Sequence, residues 1–135
     1  MRKLVLGLLI ASACSSSFEP AFDGTLFLAQ KKDPNAFMDA LFDGVVSVDD
    51  AGCYRLALAD QVTMVWPAGY RLISTIEGPA IVNREGVEIG RVGGTFRIGG
   101  GVVPTIPEGS LQSESLRREA LARCPGSFWI AAPDL

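Results

Sequence analysis

Histidine is missing altogether from these 135 residues. Its absence removes the commonest general base and the commonest metal ligand. Charged residues make up only 20 % of the chain and aromatics 8 %. The formal charge is −3, and losing Arg2 and Lys3 with a cleaved leader makes it −5. A surface of that sign repels phosphate backbones, so nucleic acid is not an expected partner. Cysteine occurs three times, at the well-separated positions 14, 53 and 124, and without histidine these do not form a metal site. No apolar run is long enough to span a bilayer as a helix. There is no Gly-x-Ser-x-Gly elbow, and no Lys-Ser or Lys-Thr follows the glycine pairs as a phosphate loop requires. Asp49, Asp50 and Asp60 are the only clustered acids, and turn chemistry accounts for each of them. No catalytic residue, cofactor or metal is therefore expected.

What is present is apolar (48 %) and rich in glycine, at 15 residues. That composition excludes disorder, and the length allows one domain with a modest core. The amino terminus has its own logic. Arg2 and Lys3 form a charged region, Leu4 to Ile10 an apolar one, and Ala11-Ser12-Ala13 supplies small residues before Cys14. This order is that of a cleaved export signal over residues 1–13. Ala-x-Ala suits ordinary signal peptidase, which would leave Cys14 with a free thiol. The same block resembles the bacterial lipobox, in which the cysteine receives a diacylglycerol thioether, although Ala11 stands where that motif prefers Leu. An exported chain with an odd exposed thiol is unusual, so the count of three favours acylation of Cys14. Ser15-Ser16-Ser17 then reads as the start of a flexible tether, with residues 14–44 forming tether and extension and 45–135 the domain. The expected location is the outer face of a bacterial membrane, held there by acyl chains on Cys14.

Within residues 45–135, short runs of β-branched and aromatic residues alternate with Gly, Pro, Asn and Asp. They are Val45–Val48, Cys53–Leu58, Val62–Trp66, Tyr70–Ile76, Ala80–Val82, Val87–Val92 and Thr95–Ile98. Such spacing predicts a meandering antiparallel sheet curled into a small barrel or sandwich. Alternation sets Val62, Met64 and Trp66 on one face, and Tyr70, Leu72 and Ile76 on one face of the next strand. Asp23-Gly24 and Asp43-Gly44 each read as a turn opening a strand. Asp33-Pro34 starts a short helix over Asn35 to Leu41. Gly93-Gly94 and Gly99–Gly101 mark bends or close backbone approaches.

From Ser113 to Cys124 the period changes to that of a helix. Leu116, Ala120 and Cys124 fall four apart, Glu114 and Glu119 precede Arg118 and Arg123 at the same spacing, and Pro125-Gly126 stops the run. Ser127 to Ala131 reads as a last strand. Cys124 thus ends the buried stripe of the helix and faces the sheet, which pairs it with Cys53 in an oxidising compartment. Closing a loop of about 70 residues removes roughly 4 kcal/mol of unfolded-state entropy.

Trp66-Pro67-Ala68-Gly69-Tyr70-Arg71 is the most distinctive segment. Two rings and a guanidinium around a turn, joined by Arg97 from a later strand, would make a stacking site for a small ligand, oligosaccharide or oligonucleotide. The phase of Trp66 with Met64 and of Tyr70 with Leu72 favours the alternative, that both rings are core.

The succession Gly52-Cys53-Tyr54-Arg55-Leu56, Val65-Trp66-Pro67-Ala68-Gly69, the glycine pairs from Val92 to Gly101, and Cys124-Pro125-Gly126 with Trp129 resembles a group of small exported bacterial lipoproteins. The resemblance spans Val45 to Ile130 and implies no activity. The layout is also similar to five-stranded barrels of the OB type with one interposed helix. Together these imply a lipid-anchored, non-enzymatic β-domain, a structural or protein-binding module of the envelope. The alternative is an OB-like ligand binder using Trp66, Tyr70, Arg71 and Arg97.

Overall fold

The computed structural model describes residues 24–34, 36 and 38–133. The chain is mainly β. Its strands are β1 (Ala40–Val48), β2 (Tyr54–Leu56), β3 (Val62–Val65), β4 (Arg71–Thr75), β5 (Gly78–Val82), β6 (Glu88–Arg91), β7 (Thr95–Val103) and β8 (Ser127–Ala131), with helix α1 (Glu114–Arg123) before the last. β1, β2, β3, β8 and β7 close a five-stranded barrel in that order, and β4, β5 and β6 form a separate three-stranded sheet inserted between β3 and β7. The small barrel with one helix in the second half of the chain is therefore present. It is mixed rather than purely antiparallel, because β3 and β8 run parallel with Val62 opposite Ser127 and Val65 opposite Ile130.

That parallel pair explains the composition of β3. Val62, Met64 and Trp66 point into the barrel beside Tyr54, Phe96 and Trp129. Val65 points outward into a second cluster with Cys53, Phe128, Leu26, Leu28 and the Ala120–Cys124 face of α1. Every residue of Val62–Val65 is buried. A strand covered on both faces reads as continuous apolar sequence, with Thr63 tolerated because its hydroxyl accepts from Arg55 Nη1 at 2.8 Å.

α1 begins where the sequence places it. The Ser113 hydroxyl accepts from Leu116 N, and Arg123 pairs with Glu119 at 2.9 Å. Glu114 pairs with Arg117 and not with Arg118, the i,i+3 neighbour lying on the same helix face as the i,i+4 one.

Three local expectations are corrected. Asp43-Gly44 is no turn, because β1 runs straight through it with Asp43 opposite Arg97 and Gly44 opposite Phe96. The ring of Phe42 covers the space a Gly44 side chain would occupy. No helix covers the end of the 35–41 segment, since Ala40 and Leu41 already pair with β7; Asn35 and Phe37 lie outside the described residues. Ile76 does not share the buried face of Tyr70 and Leu72. It sits in the tight turn between β4 and β5 and is fully exposed, at 105 %.

The segment before β1 belongs to the core. Leu26 N donates to Gly52 O, Trp66 N to Leu28 O, and Gln30 N to Trp66 O. Residues 26–30 thus form a strap across the starts and ends of β2 and β3. Alternation sends Leu26 and Leu28 to the helix-side cluster, and Phe27 and Ala29 toward the barrel interior. Gln30 is buried and pins the strap by donating to Ala131 O at 2.8 Å.

Candidate functional site

Trp66 closes β3, and its ring is fully buried. Phe27 of the strap stacks on it with centroids 5.6 Å apart, and Phe96 of β7 meets it edge-on at 5.5 Å. Pro67 to Tyr70 forms the expected turn, closed by Tyr70 N donating to Pro67 O, with Gly69 in the left-handed region at φ +83°. Tyr70 then drops back into the core at 5 % exposure. Arg71 opens β4 and is exposed, while Arg97 lies exposed on β7 across from Asp43. The structure therefore separates the four residues by environment: two rings inside the core, two guanidinium groups in solvent. Neither ring offers a face to a ligand, which weighs against a stacking platform.

A polar cluster that the sequence shows only as a turn sits at the other end of β2. Asp49 Oδ1 accepts from the backbone N–H groups of Ala51 and Cys53 at 2.9 and 3.0 Å, and its Oδ2 accepts from Arg55 Nε at 2.8 Å. Burial pushes the Asp49 carboxyl up. The Arg55 hydrogen bond and charge, with the two backbone donors, outweigh it and hold the carboxyl below its ordinary value. Arg55 Nη1 also reaches Thr63 Oγ1 and Pro125 O. One guanidinium thereby joins the β1–β2 turn, β3 and the end of α1. Nearby, Arg123 donates to Gly24 O and Ala51 O. The Asp49 carboxylate and the Arg55 and Arg123 guanidinium groups are all engaged by structural partners, so the chemistry of the cluster is that of a clamp. An arginine six residues after a turn aspartate, across a tight hairpin, was the available signal.

Cys53 and Cys124 form a disulfide with Cα atoms 5.9 Å apart, tying the start of β2 to the end of α1 as their positions imply. Cys14 and the leader lie outside the described residues. A mainly apolar depression of about 280 Å³ is lined by Pro34, Met38, Val103, Pro107, Ile130 and Ala132 among others, and no ionisable side chain among the described residues lines it. Among the described residues no group of three Cys, Asp or Glu side chains gathers as a metal site would need. The β7 glycines do what the bend reading requires: β7 continues through Gly99–Gly101, and Gly100 lies against the β8 backbone.

No protein-family model, curated protein or solved structure matches this chain. What it does must be argued from its own residues. No helix among the described residues is long and apolar enough to cross a membrane.

Proposed function

We propose that this chain is a lipid-anchored, non-enzymatic interaction module on the extracytoplasmic face of a bacterial membrane. The disulfide carries the reading. It joins Cys53 to Cys124 in the folded domain, and such bonds persist where the compartment is oxidising. It also leaves Cys14 as the one cysteine of the sequence outside that bond, immediately after a charged, apolar and small-residue leader. A diacylglycerol thioether on Cys14 removes that thiol from the oxidising milieu and supplies the membrane attachment, while the serines that follow give the domain reach. The burial of Trp66 and Tyr70 and the structural pairing of Asp49 and Arg55 support an interaction role over ligand stacking or acid–base chemistry.

Intact-mass analysis of the membrane fraction, with and without reduction, tests this. The expected species lacks residues 1–13, carries acyl groups at Cys14 and gains two protons on reduction. An uncut chain in the cytosol, with all three thiols titratable, would sink the proposal.

A further inference from the structure

β4 is an edge. Its sheet runs β4-β5-β6, so one flank of β4 has no strand beside it among the described residues. The proline opposite it tells which groups point there. Pro79 has no N–H, and its carbonyl accepts from Val92 N at 2.9 Å on the β6 side. Ser74, its partner across the β4–β5 pair, therefore turns its own N–H and C=O to the open flank, and the two-residue period adds Leu72. Ile73 and Thr75 direct theirs to β5.

We propose that this edge binds the same edge of a second copy, β4 antiparallel to β4 about a two-fold axis through Ile73. In that register the outward groups of Leu72 meet those of Ser74 in the second copy, and the reverse, so both sets of donors and acceptors are used. Ile73 faces its own counterpart, and Arg71 faces Thr75. Just beyond the strand ends, Ile76 comes against the second copy's residue 70 and Glu77 against its residue 69.

Two observations favour a second copy over an unrelated peptide. Charge is one. Arg71 is exposed and makes no ion pair among the described residues, whereas Arg84, which packs over Gly69, is held by Asp33, and Glu77 is paired with Arg91. The edge thus has an unpaired cation at its start and, just after its end, the exposed Glu77 carboxylate that Arg91 already holds. Antiparallel self-pairing sets Arg71 beside Glu77 of the second copy twice by symmetry, whereas parallel pairing would set like on like. The other is Ile76, a fully exposed apolar side chain in the β4–β5 turn, which this register carries up to the start of the second copy's β4. The inference rests on the reading of this domain as an interaction module and names its partner.

The test is disulfide trapping in cells exporting the full chain, read on non-reducing gels of both membrane and soluble fractions. Thiols facing each other at position 73 in a non-hydrogen-bonded pair would have Cα atoms about 4.5 Å apart, within disulfide reach. The Ile73→Cys chain should give a dimer of twice the chain mass, above the background that the parent chain sets through Cys14. Val87→Cys, exposed in the β5–β6 loop beside the start of β4, lies at opposite ends of the two copies in this register and should stay at background. Adding Ser74→Pro to Ile73→Cys removes one outward N–H and should cut the dimer about tenfold. Arg71→Glu should lower it too, and Arg71→Glu with Glu77→Arg should restore it. An unchanged melting temperature and an intact Cys53–Cys124 bond report that each variant folds. If the Ile73→Cys chain does not fold, co-expressed Arg71→Cys and Thr75→Cys chains, which face each other in the same register, give the same readout. No dimer, a dimer indifferent to Ser74→Pro, an equal dimer from Val87→Cys, or an adduct with a different protein would each overturn the proposal. Acylation is read separately by mass, so loss of the anchor reading and loss of the dimer are told apart.

Discussion

Gly100 lies against the β8 backbone, and its own backbone has φ +144°, where a side chain is strained. A Cβ there would lie 2.2 Å from Ile130 O and 2.8 Å from Trp129 Nε1. At Gly99, one residue earlier, the nearest atoms stand at 3.7 and 3.8 Å. Gly100→Ala should therefore cost about 3 kcal/mol or more, and Gly99→Ala less than about 1 kcal/mol, in urea denaturation. Equal losses at the two positions would refute the close approach. Asp49 gives a second prediction at this scale. Its carboxyl is held below the ordinary value of 3.8, the Arg55 and backbone bonds overriding the opposing effect of burial. A carboxyl depressed by folding adds stability above its unfolded pKa and loses it as pH falls through the folded one. Asn at 49 keeps the turn acceptor but drops the charge facing Arg55. Asp49→Asn should thus be about 1 kcal/mol less stable at pH 7, the carboxylate being partly exposed. The gap should narrow as pH is lowered from 3.8; a gap constant with pH would mean that the charge contributes nothing.

The strap of residues 26–30 is the element whose role local sequence hides best. Phe27 stacks on Trp66 and meets Tyr54 edge-on, so its ring is part of the barrel core although it precedes β1 by more than a dozen residues. Phe27→Ala should cost about 3 kcal/mol and cooperatively lower the unfolding midpoint, as a core truncation does. A change below about 0.5 kcal/mol, the scale of an exposed site, would mean that the strap is not part of the core. Leu26-Phe27-Leu28 alternates legibly, but nothing in it tells which strands it bridges, because those bonds go to Gly52 and Trp66, far along the chain. Where partners are local the reading mostly succeeds: the Glu119–Arg123 pair and the Pro125-Gly126 stop are written within α1 or beside it, and Glu114 misses its expected partner by one residue. Where partners are distant it fails. The end of the helix expected over Asn35 to Leu41 yields to β7, which takes Ala40 through Val45 into a ladder, and pairing of that length overrides a weak local preference. The candidate site shows the same division. The phase of Trp66 with Met64 marks the ring as core, whereas Arg55 bonding to Pro125 O across 70 residues has no local trace.

For the whole molecule, the relevant fact is that the described residues form two cores and that only one of them contains cysteine. The barrel interior holds Trp66, Tyr54, Phe96 and Trp129, while the cluster between wall and helix holds Cys53 and Cys124. The disulfide closes a loop with a sequence separation of 71, for which the chain-entropy account gives about 4 kcal/mol. A single domain is typically stable by only about 5–15 kcal/mol, so this is a large share. Cys53→Ala with Cys124→Ala should therefore lower unfolding free energy by about 4 kcal/mol, plus a smaller amount for the two truncated buried side chains. The loss should also be uneven. α1 is held by the cysteine-bearing cluster, by Arg123 donating to Gly24 O and Ala51 O, and by Arg117 Nε donating to Ile106 O at 2.7 Å in the connection before it, so without the disulfide its amides should exchange by local opening. β1 and β7, which pair over six residue positions and wrap the other core, should still exchange only by global unfolding. Hydrogen exchange on the oxidised protein and the double alanine variant separates the two accounts. Uniform loosening of α1, β1 and β7 would mean that the bond acts only through the unfolded chain, whereas loosening confined to α1 and its neighbours would show that it also staples the helix to an otherwise complete barrel.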